Sequence, residues 1–345
     1  MTVFPHPPAR SVIRGVPRAA LHVLLVLGLL MAALGYGAAS AAPSATITVT
    51  TTADTLDAAA GNCAAITIAG LPGPDGVTSL REAVCAANNS PGSTITFGVN
   101  GTFTLTRTGV NEDAAATGDL DLLSNVTITG KGATNTIIDG NNSDRIFDID
   151  PLQGSNAVVS ISGVTIQHGS VNPAAINLGG GVATGGSSTV TISNSTITAN
   201  QSVSGTGGGL EAFGALTLTN VTVSNNIADA QGGGIRATGN TTISGSTITG
   251  NSSEVGGGLW LGSASGISMS VTESTISGNH AVDRPGGLGA ASEDGGGLYI
   301  DTDGSVTIQR STISGNDASR NGGGIYFRDN PSGSVGSLGL TNNTI

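Results

Sequence analysis

The apolar positions of this chain repeat with one dominant spacing. A hydrophobic residue is followed five positions later by another, usually within a Thr-Ile-Ser-x-Ser-Thr-Ile phrase: Leu123/Ile128, Ile161/Ile166, Ile192/Ile197, Leu218/Val223, Ile243/Ile248, Val271/Ile276, Ile308/Ile313 and Leu340/Ile345. Side chains alternate across a strand, so residues an odd number apart on one straight strand face opposite sides. Both members of a pair reach a single core only if the chain bends between them. The pattern therefore predicts two short strands meeting at a corner. The pairs recur every 25 to 38 residues, and a corner rebuilt at that period is the mark of a solenoid. The expected fold class is all-β, a parallel β-helix.

Polar positions keep the same period. Three residues after the second member of a pair stand Asn200, Asn226, Asn251, Asn279 and Asn316. Asparagine tolerates left-handed backbone, and its amide can bond both to its own turn and to the identical amide one coil above. These five residues are expected to form a structural ladder rather than glycosylation or ligand sites. Glycine triplets followed by an aliphatic residue occur at Gly179 to Val182, Gly207 to Leu210, Gly232 to Ile235, Gly256 to Leu259, Gly295 to Leu298 and Gly322 to Ile325. They suit tight turns with positive φ where stacked backbones approach to about 4.8 Å. With no following helix or lysine they are not phosphate loops, and they lack the regular aspartate of calcium-roll repeats.

Before the repeats the pattern changes. Residues 45–51 alternate like a strand, and Ser79-Leu80-Arg81-Glu82 is a capping box that starts a helix over Leu80 to Ala87, stopped by Asn88, Asn89, Pro91 and Gly92. A short amphipathic helix here is expected to cover the open end of the solenoid, whose unpaired strand edges invite aggregation. Arg81 and Glu82 are read as capping and surface-pairing residues rather than catalytic ones.

Composition narrows the setting. There are 55 glycines in 345 residues, but periodic Ile, Val and Leu and a mean hydropathy of +0.17 indicate a core rather than disorder. Residues 1–41 read as an export signal: Arg10, Arg14 and Arg18, an apolar run from Ala19 to Leu34, then Ala39-Ser40-Ala41. The run is short for a membrane span and is broken by Gly28 and Gly35, so no span is expected in the mature chain. Removing the signal leaves nine basic and 23 acidic residues, a net charge of −14. With Lys131 the only lysine and the arginines scattered, there is no footprint for nucleic acid. The expected location is secreted or at the outer cell surface. Cys63 and Cys85 are expected to be bonded in that setting, since no histidine lies near enough to suggest a zinc site.

Two stretches carry a family resemblance. Val49 to Ala53 with Asp54, then Thr78-Ser79-Leu80-Arg81-Glu82-Ala83 and Ala87-Asn88, resemble the N-terminal module named for a Cys-Ser-Leu-Arg-Glu-Ala (CSLREA) motif in exported bacterial proteins. Thr78 replaces that motif's cysteine, which leaves Cys85 as the partner of Cys63. Gly118-Asp119-Leu120-Asp121, Ile138-Asp139-Gly140 and Arg145-Ile146-Phe147 are similar to the coils that follow the module. From about residue 155 the repeats resemble right-handed parallel β-helix repeats, including those of polymorphic outer-membrane proteins. The resemblance implies a pectate-lyase-like fold and much less about activity, because that fold serves enzymes, adhesins and stalks. The expected organisation is a signal over 1–41, a capping module with the first coils over 42–110 and β-helix repeats over 111–345. The final Thr341-Asn342-Asn343-Thr344-Ile345 elsewhere continues into Ser-Gly-Asn and a glycine triplet, so further coils or an anchor are expected beyond it.

Candidate chemistry is sparse. His168 and His280 sit at turns and Ser195 at a repeat position, without the constellation of a Ser-His-Asp triad. Pectate lyases, by resemblance, use carboxylates to hold calcium and an arginine to abstract a proton, and glycoside hydrolases use paired carboxylates. Asp119 and Asp121 share one strand face and are the candidates for a metal such as Ca2+, against a solvated face or structural turn. Arg145 with Asp148, amid Asp139, Asp144 and Asp150, is one catalytic candidate group. Arg284 and Asp294, with Asp283 and Glu293 on the longest interrupted coil, are the other and the best candidate binding loop. The expected function is a non-catalytic adhesive, glycan-contacting or stalk role toward a polysaccharide or a host or cell surface, without a cofactor. The alternative is a polysaccharide lyase or glycoside hydrolase acting on acidic polysaccharide through Arg145 or Arg284.

Overall fold

From Ile161/Ile166 onward each five-residue pair closes around a single left-handed residue. Two positions after the first member stand Gly163, Asn194, Asn220, Gly245, Glu273, Arg310 and Asn342, with φ between 48° and 65°. Two positions after the second member stand His168, Ala199, Asn225, Gly250, Gly278 and Gly315, with φ between 54° and 65°. One such residue redirects the chain and resets which side faces inward, so partners five apart enter one core. The first glycine of every triplet makes a third corner, with φ between 62° and 72°. The left-handed position thus falls one residue before each ladder asparagine, not on it.

The computed structural model describes residues 45–57, 62–110, 112–152, 154–171, 178–263, 266–289, 292–328 and 336–345. The expected export signal, 1–41, lies outside them. Strands separated by one coil pair in parallel throughout, in four sheets. The first has ten strands, from Thr46–Val49 to Ser337–Thr341, and its inward row runs Ile47, Ile95, Ile128, Ile161, Ile192, Leu218, Ile243, Val271, Ile308 and Leu340. The second carries Phe103, Ile138, Ile166, Ile197, Val223, Ile248, Ile276 and Ile313. Except at the last coil these residues are almost wholly buried, each contributing about 1.5–3 kcal/mol. The third sheet has six two-residue strands, from Ser170–Val171 to Asp317–Ala318, and the fourth has eight, from Leu120–Leu122 to Ile325–Phe327.

The register corrects one predicted pair. Ile128 stacks on Ile161 in the first sheet, and its partner around the corner is Ile138, which stacks on Ile166. A turn at Lys131 to Asn135 lengthens this corner, and Leu123 is only half-buried. An inserted turn preserves the stack while breaking the spacing.

Two side-chain ladders line the corners. The amide Nδ2 of Asn200, Asn226, Asn251 and Asn279 donates to Oδ1 of the next asparagine at 2.9–3.0 Å, and that oxygen also accepts the backbone N–H of the asparagine before it. Asn316 ends the row and donates to Ile276 O. At the other corner the hydroxyls of Ser195, Ser246, Ser274 and Ser311 accept the backbone N–H of Val164, Val221, Ser246 and Ser274. Ser195 is therefore structural, as its repeat position implies.

The helix Leu80–Asn88 is the one α-helix among the described residues, and none there is long and apolar enough to cross a membrane. It packs on Thr46–Val49, Ser93–Phe97 and Leu120–Leu122, the first strands of the coils. Its capping box is formed, with Glu82 N donating to Ser79 Oγ at 3.1 Å and Ser79 N to Glu82 Oε2 at 2.9 Å. Surface pairing of Arg81 is overturned. Arg81 is fully buried and donates to Asp54 and to the carbonyls of Ala115, Gly118 and Asp119. A disulfide joins Cys63 to Cys85 and ties the helix to the short turn Cys63–Ala65.

Candidate functional site

In the eight strands of the fourth sheet, six of three residues and two of five, the first and third residues point inward and the second outward. In register, the outward row is Asp121, Asp148, Ala183, Glu211, Arg236, Trp260, Tyr299 and Tyr326. From Ala183 onward each member stands two residues after a glycine triplet. That fixed offset is a signal in the sequence for the outward position, distinct from the turn that the triplet itself marks.

At one end of this row the side chains form a column. The rings of Trp260 and Tyr299 lie 6.3 Å apart and 5° from parallel, and those of Tyr299 and Tyr326 lie 5.2 Å apart and 21° from parallel. The Arg236 guanidinium sits 4.5 Å from the Trp260 ring centroid, a cation–π contact, and is held by Glu211 and Gln231. Stacking covers the facing sides of the three rings and leaves the outer face of Tyr326 without a ring partner among the described residues. Beside the column lies a groove of about 370 Å³, walled by Gln231, Asp294 and Arg320 and by Asp301 and Arg328, with Leu288 at its rim.

The expected cluster on the interrupted coil is divided by the fold. Arg284 pairs with Asp229 at 3.2 Å and donates to Ser252, whereas Asp294 enters the groove wall, accepting from Asn321 Nδ2 at 2.7 Å. Asp283 is exposed and Glu293 buried. The inserted coil brings Leu288, Ser292 and Asp294 to the groove, and the Leu288 N–H donates to Glu254.

At the other end the structure does assemble the predicted group. Arg145 lies 2.8 Å from Asp119 and 3.0 Å from Asp148 and donates to Leu178 O. One carboxylate oxygen from each of Asp119, Asp121 and Asp148 lies within 4.8 Å of the others. Asp119 and Asp121 are 4% and 0% exposed, so the expectation of a solvated face is overturned. Residues 112–118 pack against them: Ala115 N donates to Asp121 Oδ2, Glu112 accepts from the N–H groups of Ala114, Ala116 and Thr117, and Arg81 donates to the carbonyls of Ala115 and Gly118. Asp121 Oδ1 is buried without a hydrogen-bond partner. Asp148 opens into a cleft of about 170 Å³ with Asp150, Leu178 and Phe213.

Burial, with Asp121 adding repulsion, raises Asp119 well above the carboxylate range against the pull of Arg145. Burial pushes Asp121 up to about 8 and Asp148 up to about 6. Burial works against the Arg145 charge, but Asp148 and Asp119 outweigh it and hold Arg145 above its ordinary value. An arginine so held is a fixed cation, poorly suited to abstract a proton. The neighbouring acids serve turns: Asp144 accepts from Arg145 N, Asp139 bonds Gln167 and His168, and Asp150 accepts from Gly154, Ser155 and Ser187. His280 pairs with Asp317 one coil on.

Parallel strands stacked coil on coil, with corners, ladders and an outward row all in one register, define a parallel β-helix with a grooved face. The family model for right-handed β-helix regions matches residues 123–345, and the chain belongs to that family. No curated protein and no solved structure matches the chain.

Proposed function

We propose that this protein is an exported, surface-associated β-helix that holds a glycan along its fourth sheet without cutting it. The observation that carries the reading is the groove beside Trp260, Tyr299 and Tyr326, lined by two ion pairs, Arg320 with Asp294 and Arg328 with Asp301. Such a mixture of aromatic edges and convergent polar groups suits a hydroxyl-rich polymer. The net charge of −14 expected after signal removal disfavours a polyanion and favours a neutral glycan. Export is supported by the basic and apolar anatomy of residues 1–41 and by the Cys63–Cys85 disulfide. On this reading residues 42–110 are a CSLREA-like capping module, and 111–345 are the display scaffold.

The second reading is a hydrolase, favoured by one observation: Asp148 is pushed up to about 6 and opens to a cleft, as a general acid would. A lyase is supported less, because Arg145 and Arg284 are both engaged by carboxylates. The test is to immobilise the protein and pass neutral and acidic polysaccharides over it while assaying for new reducing ends and unsaturated uronides. Retention without cleavage, weakened by Arg328→Ala and Asp301→Ala, is the expected result. Cleavage abolished by Asp148→Asn would replace the binding reading with the hydrolase, and neither retention nor cleavage would leave a passive stalk.

A further inference from the structure

The acidic end of the outward row lies before the two repeated devices of the solenoid begin. The asparagine row begins at Asn200, whose Oδ1 accepts from Gly169 N, and the glycine triplets begin at Gly179. The earlier coils at Leu120–Leu122 and Phe147–Ile149 have neither device. In their place are Asp121 and Asp148 on adjacent strands and Asp119 just before the first of them, covered by residues 112–118.

We propose that Asp119, Asp121 and Asp148 together hold one divalent cation of the calcium class, which clips the first two strands of the fourth sheet to one another. Three observations carry this. The first is geometric: calcium binds oxygen at about 2.3–2.6 Å, so one ion can touch oxygens up to about 5 Å apart. The three carboxylate oxygens lie within 4.8 Å of one another. Magnesium, which demands near-octahedral geometry at about 2.0–2.1 Å and sheds its water reluctantly, suits a buried set of carboxylates less well.

The second observation is the orphaned Asp121 Oδ1. This residue is wholly buried, its other oxygen is already taken by Ala115 N–H at 2.5 Å, and Oδ1 has no hydrogen-bond partner. A buried acceptor without a donor is costly, and a cation among the three oxygens would satisfy it. The third is charge. A cation binds the carboxylates in their ionised form, and with all three ionised Arg145 offsets one charge through Asp119 and Asp148 while one divalent ion balances the other two. Arg145 also fixes both partners by one oxygen each, at Asp119 Oδ2 and Asp148 Oδ2. It acts here as a positioning residue.

The experiment is calorimetric titration of CaCl2 into the full chain after chelation and dialysis, with thermal unfolding at each calcium concentration. The expected result is one site per chain, a midpoint that rises with calcium, and at least tenfold weaker binding of MgCl2. Asp121→Asn and Asp148→Asn should each weaken calcium binding at least tenfold, whereas Asp317→Asn, an exposed position distant along the chain, should bind as the parent does. Because Asp121 is buried, Asp148→Asn at the cleft is the variant that must fold, checked by far-ultraviolet circular dichroism. No heat and no midpoint shift at millimolar calcium would overturn the proposal. So would a folded Asp148→Asn protein that binds calcium unchanged.

Discussion

Replacing Asn251 by alanine tests the asparagine ladder at its centre. Asn251 Oδ1 accepts from the backbone N–H of Asn226 at 2.9 Å and from its Nδ2 at 3.0 Å, and Asn251 Nδ2 donates to Val223 O at 3.0 Å and Asn279 Oδ1 at 2.9 Å. The residue is fully buried, so water cannot replace those partners without opening the corner. Alanine leaves the Asn226 N–H without this acceptor, at about 1–3 kcal/mol, and removes three further bonds each worth about 0.5–1.5 kcal/mol. The expected loss is about 3–5 kcal/mol, read as a lower urea midpoint with unchanged slope, using Trp260 fluorescence and circular dichroism together. Asn220→Gly is the control, since Asn220 is exposed, occupies a left-handed corner and makes only a lateral 3.3 Å bond to Asn194. Asn251→Asp adds a second reading: its carboxylate still accepts from Asn226 but faces Val223 O and Asn279 Oδ1, and should recover part of the loss in acid. If Asn251→Ala falls within about 1 kcal/mol of Asn220→Gly, the ladder is not a principal fastener of the coils and the energetic argument fails.

Four further outcomes follow from the same geometry. Gly233→Ala would place a methyl 2.4 Å from Ser252 O and 2.5 Å from Gly257 O, both backbone, and should cost more than about 3 kcal/mol by urea midpoint, whereas Gly186→Ala, with its nearest neighbour at 4.0 Å, should be nearly neutral. Reducing Cys63–Cys85, which closes a separation of 22 residues, should cost about 3 kcal/mol and lower the melting temperature, compared with and without reductant. Arg81→Met should cost about 3–5 kcal/mol by leaving buried Asp54 and three carbonyls without their donor, measured by thermal unfolding. Burial tends to raise Asp150, but donors from Ser155, Gly154 and Ser187 outweigh it and hold the carboxyl below its ordinary value. Its stabilisation is therefore present above about pH 3.9 and lost as the pH falls through the lower folded value. Asp150→Asn should show a shallower loss of stability than the parent between pH 5 and 3.

The solenoid was legible because its constraint is local and repeated. A pair five apart, an asparagine three further on and a glycine triplet each report a corner, and every coil reports it again, so Ile161/Ile166 through Ile308/Ile313 were recovered as one stack. The reading failed at Leu123/Ile128, where the turn at Lys131 to Asn135 lengthens a corner that only the register with Ile161 and Ile166 locates. The left-handed residue was misassigned by one position for a related reason. Asparagine, glycine, alanine, glutamate and arginine all occupy these corners, so residue type alone does not mark them.

The site was legible in its members but not in its grouping. Arg145, Asp148, Asp119 and Asp121 stand out as charges in a chain with few, yet Arg284 and Asp294 stood out equally and the fold sends them to different partners. Which carboxylates meet depends on the parallel register of Leu120–Leu122 with Phe147–Ile149, and their burial depends on residues 112–118 being held by Arg81 from the helix Leu80–Asn88. Likewise Trp260, Tyr299 and Tyr326 lie 39 and 27 residues apart in sequence and touch only because each coil returns the chain to the same face. The sequence by itself determined the class of fold, through short-range periodicity that a single coil can express. Only the tertiary structure decided the chemistry of the grooved face, because neighbours there are made by stacking one coil on the next, and the variable lengths between corners hide that stacking from the linear chain.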